Sequence, residues 1–443
     1  MIEKIDSATK EFSQLLEQGK RAIIVSHYDA DGICSASIIA KALLRKDKLF
    51  QIKILKQLDK STIKSLKIGK NDFLVFLDLG SSHISEIESF PCPVFILDHH
   101  EITASSKKVT ILNPRYSGED LPASGIAYLF AKQLDEKNKD LVSLSIIGML
   151  GDLFDKNISK LANMVLKDAE NIEIKKTISI VSPTKPLNKA LEYSSIFIPG
   201  VTGSSEGAFN LIKETGIKME NKKTLLDLTE EEVSKLITSI VMKRLGNQIN
   251  AESIIGNVYL IKFFNKKEDA KEISTLINAC SRLGYPEIAL LFCLGNKEAR
   301  IMAEDLYLKY KKEIIYGLNV INTTEKIKKD GYVIFNAKNK IRDTMIGTLM
   351  SILSHSSIYP ENTILIGMAH SKDAIKVSGR ICGNYTKSNL DLKKILDPIS
   401  SICNGELGGH ERAAGCIVSF ENEAKFIEKI QQILDTESIK IKV

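Results

Sequence analysis

Carboxylate and imidazole side chains follow three short apolar runs in the first third of the sequence. The runs are residues 22–25, 73–77 and 94–97, and the polar side chains that follow them are His27, Asp29, Asp31, Asp78, Asp98, His99 and His100. A further carboxylate, Asp152, ends an apolar, helix-like segment. One such aspartate alone would be explained as a helix cap or a turn residue. Acidic residues after three separate apolar runs, together with Asp152, indicate a shared site instead.

The five aspartates of this set predict a cation-binding site. Carboxylates crowded together repel one another, and their pKa values rise unless positive charge neutralises them. Oxygen and nitrogen ligands without thiolate suit Mn²⁺ or Mg²⁺ better than zinc. Two such ions roughly 3.5–4 Å apart, sharing a bridging carboxylate, can activate water and stabilise a leaving oxygen in phosphoryl transfer. The residue types therefore predict metal-dependent chemistry on a phosphate.

Strands and helices in alternation must position these side chains. The predicted strands are residues 22–25, 50–54, 73–77 and 94–97, and the predicted helices are residues 33–45, 123–134 and 141–154. Such alternation indicates an α/β fold, with a mostly parallel sheet and helices on both faces. In sheets of this kind, ligands bind beyond the carboxyl ends of the strands. The acidic side chains lie at those ends.

Composition and charge exclude several classes of protein. The net charge of +6 over 443 residues permits an anionic ligand but is mild for a protein that coats nucleic acid. No apolar run approaches the roughly 18–20 residues of a membrane helix, and the N-terminal residues lack the apolar stretch of a signal peptide. The seven cysteines are scattered without a Cys-x-x-Cys pair, which argues against a zinc ribbon or a disulfide framework. We therefore expect a reduced, cytoplasmic protein that does not bind membranes.

The motifs resemble those of a known superfamily and follow the same order. The series His27-x-Asp29-x-Asp31-Gly32, Asp78, Asp98-His99-His100 and Asp152 resembles the four motifs of the DHH phosphoesterases. The segment 408–415, Gly-Gly-His-Glu-Arg-Ala-Ala-Gly, resembles the signature loop of the DHH-associated C-terminal domain. Residues 377–380, Val-Ser-Gly-Arg, resemble the strand that usually faces that loop. The complete set is far more specific than a lone Asp-His-His.

The resemblance implies a centre with two Mn²⁺ or Mg²⁺ ions. The implied ligands are His27 and Asp29 for one ion, Asp31, His99 and Asp152 for the other, and Asp78 as a bridge. Asp31, Asp78 and His100 would be catalytic, with His100 beside the metals or the scissile phosphate. Asp98 would orient a histidine, a contact that metal sites generally need.

The resemblance also implies a phosphate-binding group in the C-terminal domain, formed by Arg380, Gly408, Gly409, His410 and Arg412. The guanidinium fork suits bidentate contact with phosphate, and the glycines allow close backbone approach. Arginine is scarce in this chain, with nine against fifty-two lysines. The alternative role for the two arginines is a surface ion pair.

Departures from the family pattern are small. Leu407 stands where many relatives carry another glycine, and Ser281 stands where archaeal RecJ-like proteins usually have glycine. Asn278 and Arg282, in the same segment as Ser281, are candidates for a cleft between the domains. A helix-capping or packing role explains them equally well.

Length and pattern predict three domains. They are a DHH domain with the metal site at 1–165, a helical linker and insert at 166–325, and a smaller α/β substrate-binding domain at 326–443 that faces the first across a cleft. Residues 160–250 are predicted to be helical, with Thr229 and Glu232 as a capping box. The further predicted strands are 258–264, 288–293, 332–336, 363–368 and 374–378, and the further predicted helices are 300–320, 343–354 and 422–435.

A chain of this length with a helical insert is most similar to archaeal RecJ-like nucleases, including the GINS-associated nuclease. The resemblance implies an exonuclease that hydrolyses single-stranded DNA, with RNA as a further substrate, in DNA replication or repair. Its partners would be single-stranded nucleic acid and, as a candidate, the GINS replication complex. Two alternatives stay open, an oligoribonuclease acting on nanoRNA and a replisome-associated scaffold. The presence of every acidic motif argues against a scaffold that has lost its metals.

Overall fold

The computed structural model describes residues 1–152, 154–156, 158–170, 172–179, 182–194, 198–218, 222–243, 254–356, 358–383, 390–402 and 407–442. The chain divides into two compact units. Unit 1 comprises Met1–Lys176 and Asn257–Leu308, and unit 2 comprises Thr177–Gly256 and Lys309–Val443. The division into three domains after residues 165 and 325 remains a prediction.

Helices and strands alternate in the first part of unit 1. The elements are α1 (Ile2–Glu17), β1 (Arg21–His27), α2 (Ala30–Arg45), β2 (Phe50–Leu55), α3 (Lys60–Ser65), β3 (Asp72–Leu77), α4 (Ile84–Ile87), β4 (Val94–Leu97), β5 (Val109–Leu112), α5 (Ala123–Leu134), α6 (Val142–Gly151) and α7 (Lys160–Lys167). The first five strands form one parallel sheet in the order β2-β1-β3-β4-β5. The predicted parallel α/β architecture is confirmed, and the sequence pattern does not predict α1, α3, α4 and β5.

Both faces of this sheet are buried. On β3, Phe73, Val75 and Leu77 belong to one apolar core, and Leu74 and Phe76 belong to another. Successive side chains of a strand point to opposite faces, so a sheet that is covered on both faces needs unbroken apolar strands. Polar side chains are therefore confined to the strand ends, where the chain leaves the core.

The middle of the chain contributes helices and a small sheet. Its elements are β6 (Glu173–Ile178), α8 (Leu187–Glu192), α9 (Ser205–Glu214), α10 (Glu230–Lys243), β7 (Ile255–Phe263), β8 (Lys266–Asp269), α11 (Ala270–Arg282), α12 (Pro286–Leu294) and α13 (Lys297–Thr323). Strands β6, β7 and β8 form a three-stranded sheet. The predicted capping box is present, since the Thr229 N–H donates to Glu232 Oε2 at 2.9 Å and the Glu232 N–H donates to Thr229 Oγ1 at 3.2 Å.

Two predictions in this region are wrong. Residues 288–293 form part of the helix α12 rather than a strand. Short apolar runs fit either structure by pattern alone, and here Pro286 in the first turn and a left-handed Gly295 at the end bound a helix. The segment 160–250 is not wholly helical, because it contains β6, whose exposed lysines resemble a surface helix in composition.

The last part of unit 2 is a second α/β layer structure. Its elements are β9 (Lys326–Lys329), β10 (Tyr332–Asn336), α14 (Asp343–Ser354), β11 (Ile364–His370), β12 (Ile375–Ile381), α15 (Leu392–Leu396), β13 (Gly408–His410), β14 (Ala413–Val418) and α16 (Glu423–Lys442). They form a six-stranded mixed sheet in the order β13-β14-β12-β11-β10-β9, in which only β10 and β11 are parallel. Each strand and helix predicted after residue 330 is present.

No helix among the described residues is both long and apolar enough to cross a bilayer. The six described cysteines are free thiols, and five of them are buried. Cys403 lies outside the described residues.

Candidate metal centre

The turn from β1 into α2 places the first acidic motif. Asp29 caps α2 by accepting a hydrogen bond from the Gly32 N–H at 3.0 Å. Asp31, in the first turn of α2, is fully buried. Its carboxylate accepts hydrogen bonds from the backbone N–H groups of Ala123 at 2.7 Å and Ser124 at 3.0 Å, and from the Ser124 hydroxyl. The start of α5 therefore fixes Asp31 in place.

Asp78 lies at the carboxyl end of β3, between the ends of β1 and β4. It is 2% exposed, and its backbone N–H donates to the Leu97 carbonyl oxygen at 3.0 Å. Asp78 Oδ2 lies 3.2 Å from His27 Nδ1, and Asp78 Oδ1 lies 3.4 Å from His99 Nε2. The carboxylate thus stands between the two histidine-bearing strand ends.

Asp98 organises the turn after β4. Its Oδ1 accepts hydrogen bonds from the backbone N–H groups of His99 at 2.8 Å and His100 at 3.2 Å, and lies 2.7 Å from His100 Nδ1. Its Oδ2 accepts from the Ser81 N–H at 2.9 Å. Burial opposes ionisation of Asp98, yet the contact with His100 lowers the pKa of this carboxyl below its ordinary value. Asp98 orients the two histidines and is not part of the clustered donor atoms.

Asp152 follows the last residue of α6. Its Oδ2 lies 3.0 Å from His99 Nε2. The preceding residue is Gly151, where a Cβ atom would lie 3.1 Å from the Ala30 Cβ and 3.2 Å from the Ser274 Oγ. Glycine at this position therefore lets α6 approach the β1–α2 turn closely enough to bring Asp152 to the site.

The predicted ligands come together in overlapping sets. In each set, one donor atom per residue lies within 4.8 Å of the others, and the sets are Asp31, Asp78, His99 and Asp152; His27, Asp29 and Asp78; and Asp78, His99 and His100. Asp78 is common to all three sets. This is the arrangement expected of a carboxylate that bridges two cations.

The buried donor atoms fit a divalent cation. Asp78 Oδ1 and His99 Nε2 are buried, and neither makes a well-aligned hydrogen bond among the described residues, although carboxylate oxygens lie 3.0 and 3.4 Å from His99 Nε2. Buried polar atoms normally find a partner, so an unsatisfied pair needs an explanation. Carboxylate oxygens with imidazole nitrogens and no thiolate form the ligand type that hard divalent ions prefer.

The electrostatics of the metal-free cluster support the same conclusion. Burial alone would lower the pKa of His27, but Asp29 and Asp78 raise it well above its usual value. Burial would also lower the pKa of His99, but the carboxylates of Asp152 and Asp78 raise it well above its usual value. Burial raises the pKa of Asp31 well above its ordinary value, and the charge of Asp78 adds to this effect. Without a metal ion, histidinium groups and protons must therefore balance the carboxylates.

Two polar contacts of this site are missed or left open by the sequence analysis. Asn278 Oδ1 on α11 accepts a hydrogen bond from the Ala30 N–H, between Asp29 and Asp31, at 3.0 Å. Arg115, in the turn after β5, donates through Nε to the His99 carbonyl oxygen at 2.6 Å. The sequence signal for Asn278 is its place in the segment that resembles archaeal RecJ-like proteins. Arg115 has no signal beyond the scarcity of arginine.

The predicted substrate residues lie on the sheet of unit 2. Arg380 on β12 is paired in register with Ala413 of β14 and donates to the Gly379 carbonyl oxygen at 2.7 Å. Arg412 donates to the Cys382 carbonyl oxygen at 3.2 Å. Their loop and strand neighbours Gly408 and Gly409 belong to β13, which pairs with β14. The His410 backbone is also in β13, and its side chain lies outside the described structure.

A parallel sheet that gathers aspartate and histidine at its carboxyl edge, with a second sheet-containing unit, defines a protein built to hold divalent cations. The family described as "DHH family, N-terminal domain" matches residues 21–150, the "DHH-CID domain" matches 182–258 and the "DHHA1 domain" matches 329–436. The chain belongs to the DHH superfamily of phosphoesterases. An uncharacterized protein of Methanocaldococcus jannaschii is 29% identical, over 98% of this chain and 97% of that protein.

The fold is similar to RecJ and CDC45 structures. RecJ from Thermus thermophilus in complex with Mn²⁺ matches at a TM-score of 0.62 and 15% identity, over 99% of this chain, which spans only 55% of that RecJ. A second exonuclease RecJ, bound to manganese, matches at 0.60 and 15% identity, over 98% of this chain and 94% of that one. CDC45 from Entamoeba histolytica matches at 0.66 and 12% identity, over 97% and 99%. At these identities the likeness establishes a RecJ-like fold.

Proposed function

We propose that the protein is a metal-dependent phosphodiester hydrolase that degrades single-stranded DNA from one end, with RNA as a further substrate. The observation that carries this proposal is the overlap of the ligand sets on Asp78, whose Oδ1 is buried without a well-aligned hydrogen bond among the described residues. Membership of the DHH superfamily and a fold shared with an exonuclease bound to manganese support it.

In this proposal, two Mn²⁺ or Mg²⁺ ions would be held by two sets of residues that share Asp78. One set is His27, Asp29 and Asp78. The other is Asp31, Asp78, His99 and Asp152. When bound, such ions supply activation of water and neutralisation of charge on the phosphate. Asp31 and Asp78 would act through these ions, and burial of both carboxylates excludes competing solvent from their oxygens.

His100 would contact the phosphate itself. Burial would lower the pKa of this imidazole, but the hydrogen bond to Asp98 raises it. A protonated ring carries an N–H on both nitrogens. Since Nδ1 is engaged by Asp98, Nε2 is the nitrogen that would donate to a phosphate oxygen. The ring is partly exposed, as substrate contact requires.

The C-terminal residues Arg380, Gly408, Gly409, His410 and Arg412 would bind a second phosphate of the same strand. Arginine close to glycine backbone amides is a suitable environment for an anion. Retention of one terminal phosphate by these residues would explain cleavage that starts from a chain end.

A second function, a replisome scaffold, has one observation in its favour. The fold similarity to CDC45 extends over nearly the whole of both chains. In this alternative the protein binds a replication complex, with GINS as the candidate, and its hydrolytic activity is weak. The two functions are compatible in one chain, and only measured activity separates them.

The test is an end-labelling assay. Single-stranded DNA and RNA, each labelled at the 5′ or the 3′ end, are incubated with Mn²⁺ beside a blunt duplex and a trinucleotide, using wild type and Asp78→Asn. We expect mononucleotides from one end of the single strands, little cleavage of the duplex, and none by the variant. Cleavage restricted to the trinucleotide would indicate an oligoribonuclease. If the wild-type protein cleaves none of the substrates, the replisome scaffold is the remaining function.

A further inference from the structure

The turn that follows β5 is bonded to the segment that carries His99 and His100, and it carries a positive charge. Asn113 is 2% exposed, and its Oδ1 accepts a hydrogen bond from the Arg115 N–H at 3.0 Å. Its Nδ2 donates to the His100 carbonyl oxygen at 2.9 Å and to the Ser81 Oγ at 3.0 Å. Gly118, in the left-handed conformation, ends the turn. The turn is thus bonded to the same segment that supplies the histidines.

The Arg115 side chain is bonded to that segment as well. Its Nε donates to the His99 carbonyl oxygen at 2.6 Å, and the ring of His99 is one of the clustered donors. A guanidinium carries five N–H donors in a planar fork. One of them is used here, which fixes the direction of the group while its two terminal nitrogens have no partner among the described residues.

Arg115 is also distinguished by the absence of a counter-charge. Arg21 pairs with Asp72, Arg45 pairs with Asp140, and Arg300 pairs with Glu268 and Glu304. No carboxylate among the described residues forms an ion pair with Arg115, which is exposed. An arginine held by these hydrogen bonds, with no counter-ion among the described residues, is available for an anionic ligand.

The next residue of the turn adds features that suit nucleic acid. The Tyr116 ring is 44% exposed, and Lys4 Nζ lies 4.7 Å from the ring centroid. A second cation and an exposed aromatic ring therefore accompany Arg115. Proteins that bind single strands combine positive charge for the backbone with aromatic rings for the bases.

We propose that Arg115 binds a phosphate of the nucleic-acid strand that neighbours the phosphate being cleaved. The inference rests on the proposed hydrolysis of single strands and extends it, because it gives unit 1 a phosphate contact of its own in addition to those predicted for Arg380 and Arg412. The competing role for Arg115 is only to hold the His99 carbonyl group and so the metal ligands.

The experiment compares Arg115→Gln, Arg115→Lys and the control Lys70→Gln in the full chain. Lys70 is exposed and lies at the amino end of β3, the edge of the sheet opposite the acidic residues. Affinity for a fluorescent single-stranded DNA is measured in EDTA, where hydrolysis is blocked, over a range of salt concentrations. Binding of Mn²⁺ alone is followed by the rise in melting temperature.

We expect Arg115→Gln to weaken DNA binding by about 10-fold or more, which is the effect of losing one charged hydrogen bond. Its salt dependence should fall by about 0.7 on log axes, as for one lost phosphate contact. Arg115→Lys should keep that salt dependence, Lys70→Gln should bind DNA like wild type, and all should respond to Mn²⁺ alike.

Three results would overturn the inference. If Arg115→Gln binds DNA as well as wild type, or if it loses the response to Mn²⁺ in proportion to DNA affinity, Arg115 only holds the His99 segment. A wild-type protein that neither binds nor cleaves single strands would remove the proposed function, and this inference with it. The first two results leave the proposed function standing, so the failures are distinguishable.

Discussion

Asp78 Oδ2 lies 3.2 Å from His27 Nδ1, and the Asp78 backbone reaches this position in the left-handed conformation, with φ of +58°. That conformation costs energy for a residue with a Cβ atom. Burial also raises the pKa of Asp78, and the charge of Asp29 adds to that rise. Asp78, which all three ligand sets share, therefore combines an unfavourable backbone conformation with an unfavourably buried carboxylate. This combination is typical of a residue retained for function.

The first prediction is that Asp78→Asn weakens the response to metal without destabilising the metal-free protein. A folded-state pKa above the unfolded value means that stability is lost as pH rises through the folded pKa, so the ionised carboxylate is unfavourable at neutral pH. Asparagine keeps the size and tolerates the left-handed backbone. We expect an equal or higher melting temperature without metal, a smaller rise on adding Mn²⁺, and hydrolysis reduced by about 100-fold or more.

Asp47→Asn is the matched control, because Asp47 is an exposed aspartate with a similar φ of +52°. It should respond to Mn²⁺ and hydrolyse substrate like wild type. Near-normal hydrolysis by Asp78→Asn would contradict the assignment of Asp78 as a bridge.

The second prediction concerns Asn278, which accepts the Ala30 N–H between two predicted ligands. Asn278→Leu removes the acceptor at similar volume, whereas Asn278→Asp keeps it. We expect the leucine variant to bind Mn²⁺ about 10-fold more weakly, the scale reported for residues that orient metal ligands, and the aspartate variant to stay close to wild type. Calorimetric titration with Mn²⁺ measures both affinities.

Thr275→Val serves as the control for substitutions on α11, because Thr275 is exposed. If Asn278→Leu lowers the melting temperature but leaves Mn²⁺ affinity unchanged, Asn278 contributes to packing alone and has no positioning role.

The strand ends were predictable from sequence, and contacts between distant segments were not. His27, Asp78 and His99 follow apolar runs, and parallel strands align their carboxyl ends at one edge, so their convergence follows from local pattern. Asn278 reaches Ala30 across 248 positions, and no local pattern specifies such a contact. Residues 288–293 form a helix although their pattern predicts a strand, because six consecutive apolar residues fit either period.

The third prediction separates two adjacent glycines of β13. A Cβ atom on Gly409 would lie 2.2 Å from the Ala413 carbonyl oxygen, and its φ is +129°, whereas a Cβ on Gly408 would meet no described atom within 4 Å. Gly409→Ala should therefore destabilise the β13–β14 pairing by about 2 kcal/mol or more. Gly408→Ala should melt like wild type.

Gly408→Ala then becomes a probe of substrate approach. If the backbone at this position comes close to a phosphate, as predicted from the family resemblance, the added methyl group should raise KM for oligonucleotides several-fold. An unchanged KM would show that Gly408 is not part of the substrate site, while Gly409 would be explained by the sheet alone.

The last prediction concerns the pH dependence of stability and involves Asp269, which caps α11. Asp269 is 6% exposed and accepts the Lys271 N–H at 3.1 Å. Burial raises the pKa of Asp269 to about 7, and Glu272 adds to this rise. Because the folded pKa exceeds the unfolded one, the stability that this group confers is present below about pH 4 and is lost as pH rises towards 7.

Asp269→Asn keeps an oxygen for the cap and cannot ionise. The variant should therefore gain stability relative to wild type between pH 5 and pH 8, and the difference in the free energy of unfolding should change by about 2 kcal/mol. Asp59, which caps α3, is the control, because the Thr62 N–H lowers the pKa of its exposed carboxyl. Asp59→Asn should therefore lose stability relative to wild type between pH 3 and pH 8. Denaturant melts at these pH values measure both variants. A difference for Asp269→Asn that does not grow between pH 5 and pH 8 would mean that Asp269 ionises normally in the folded protein.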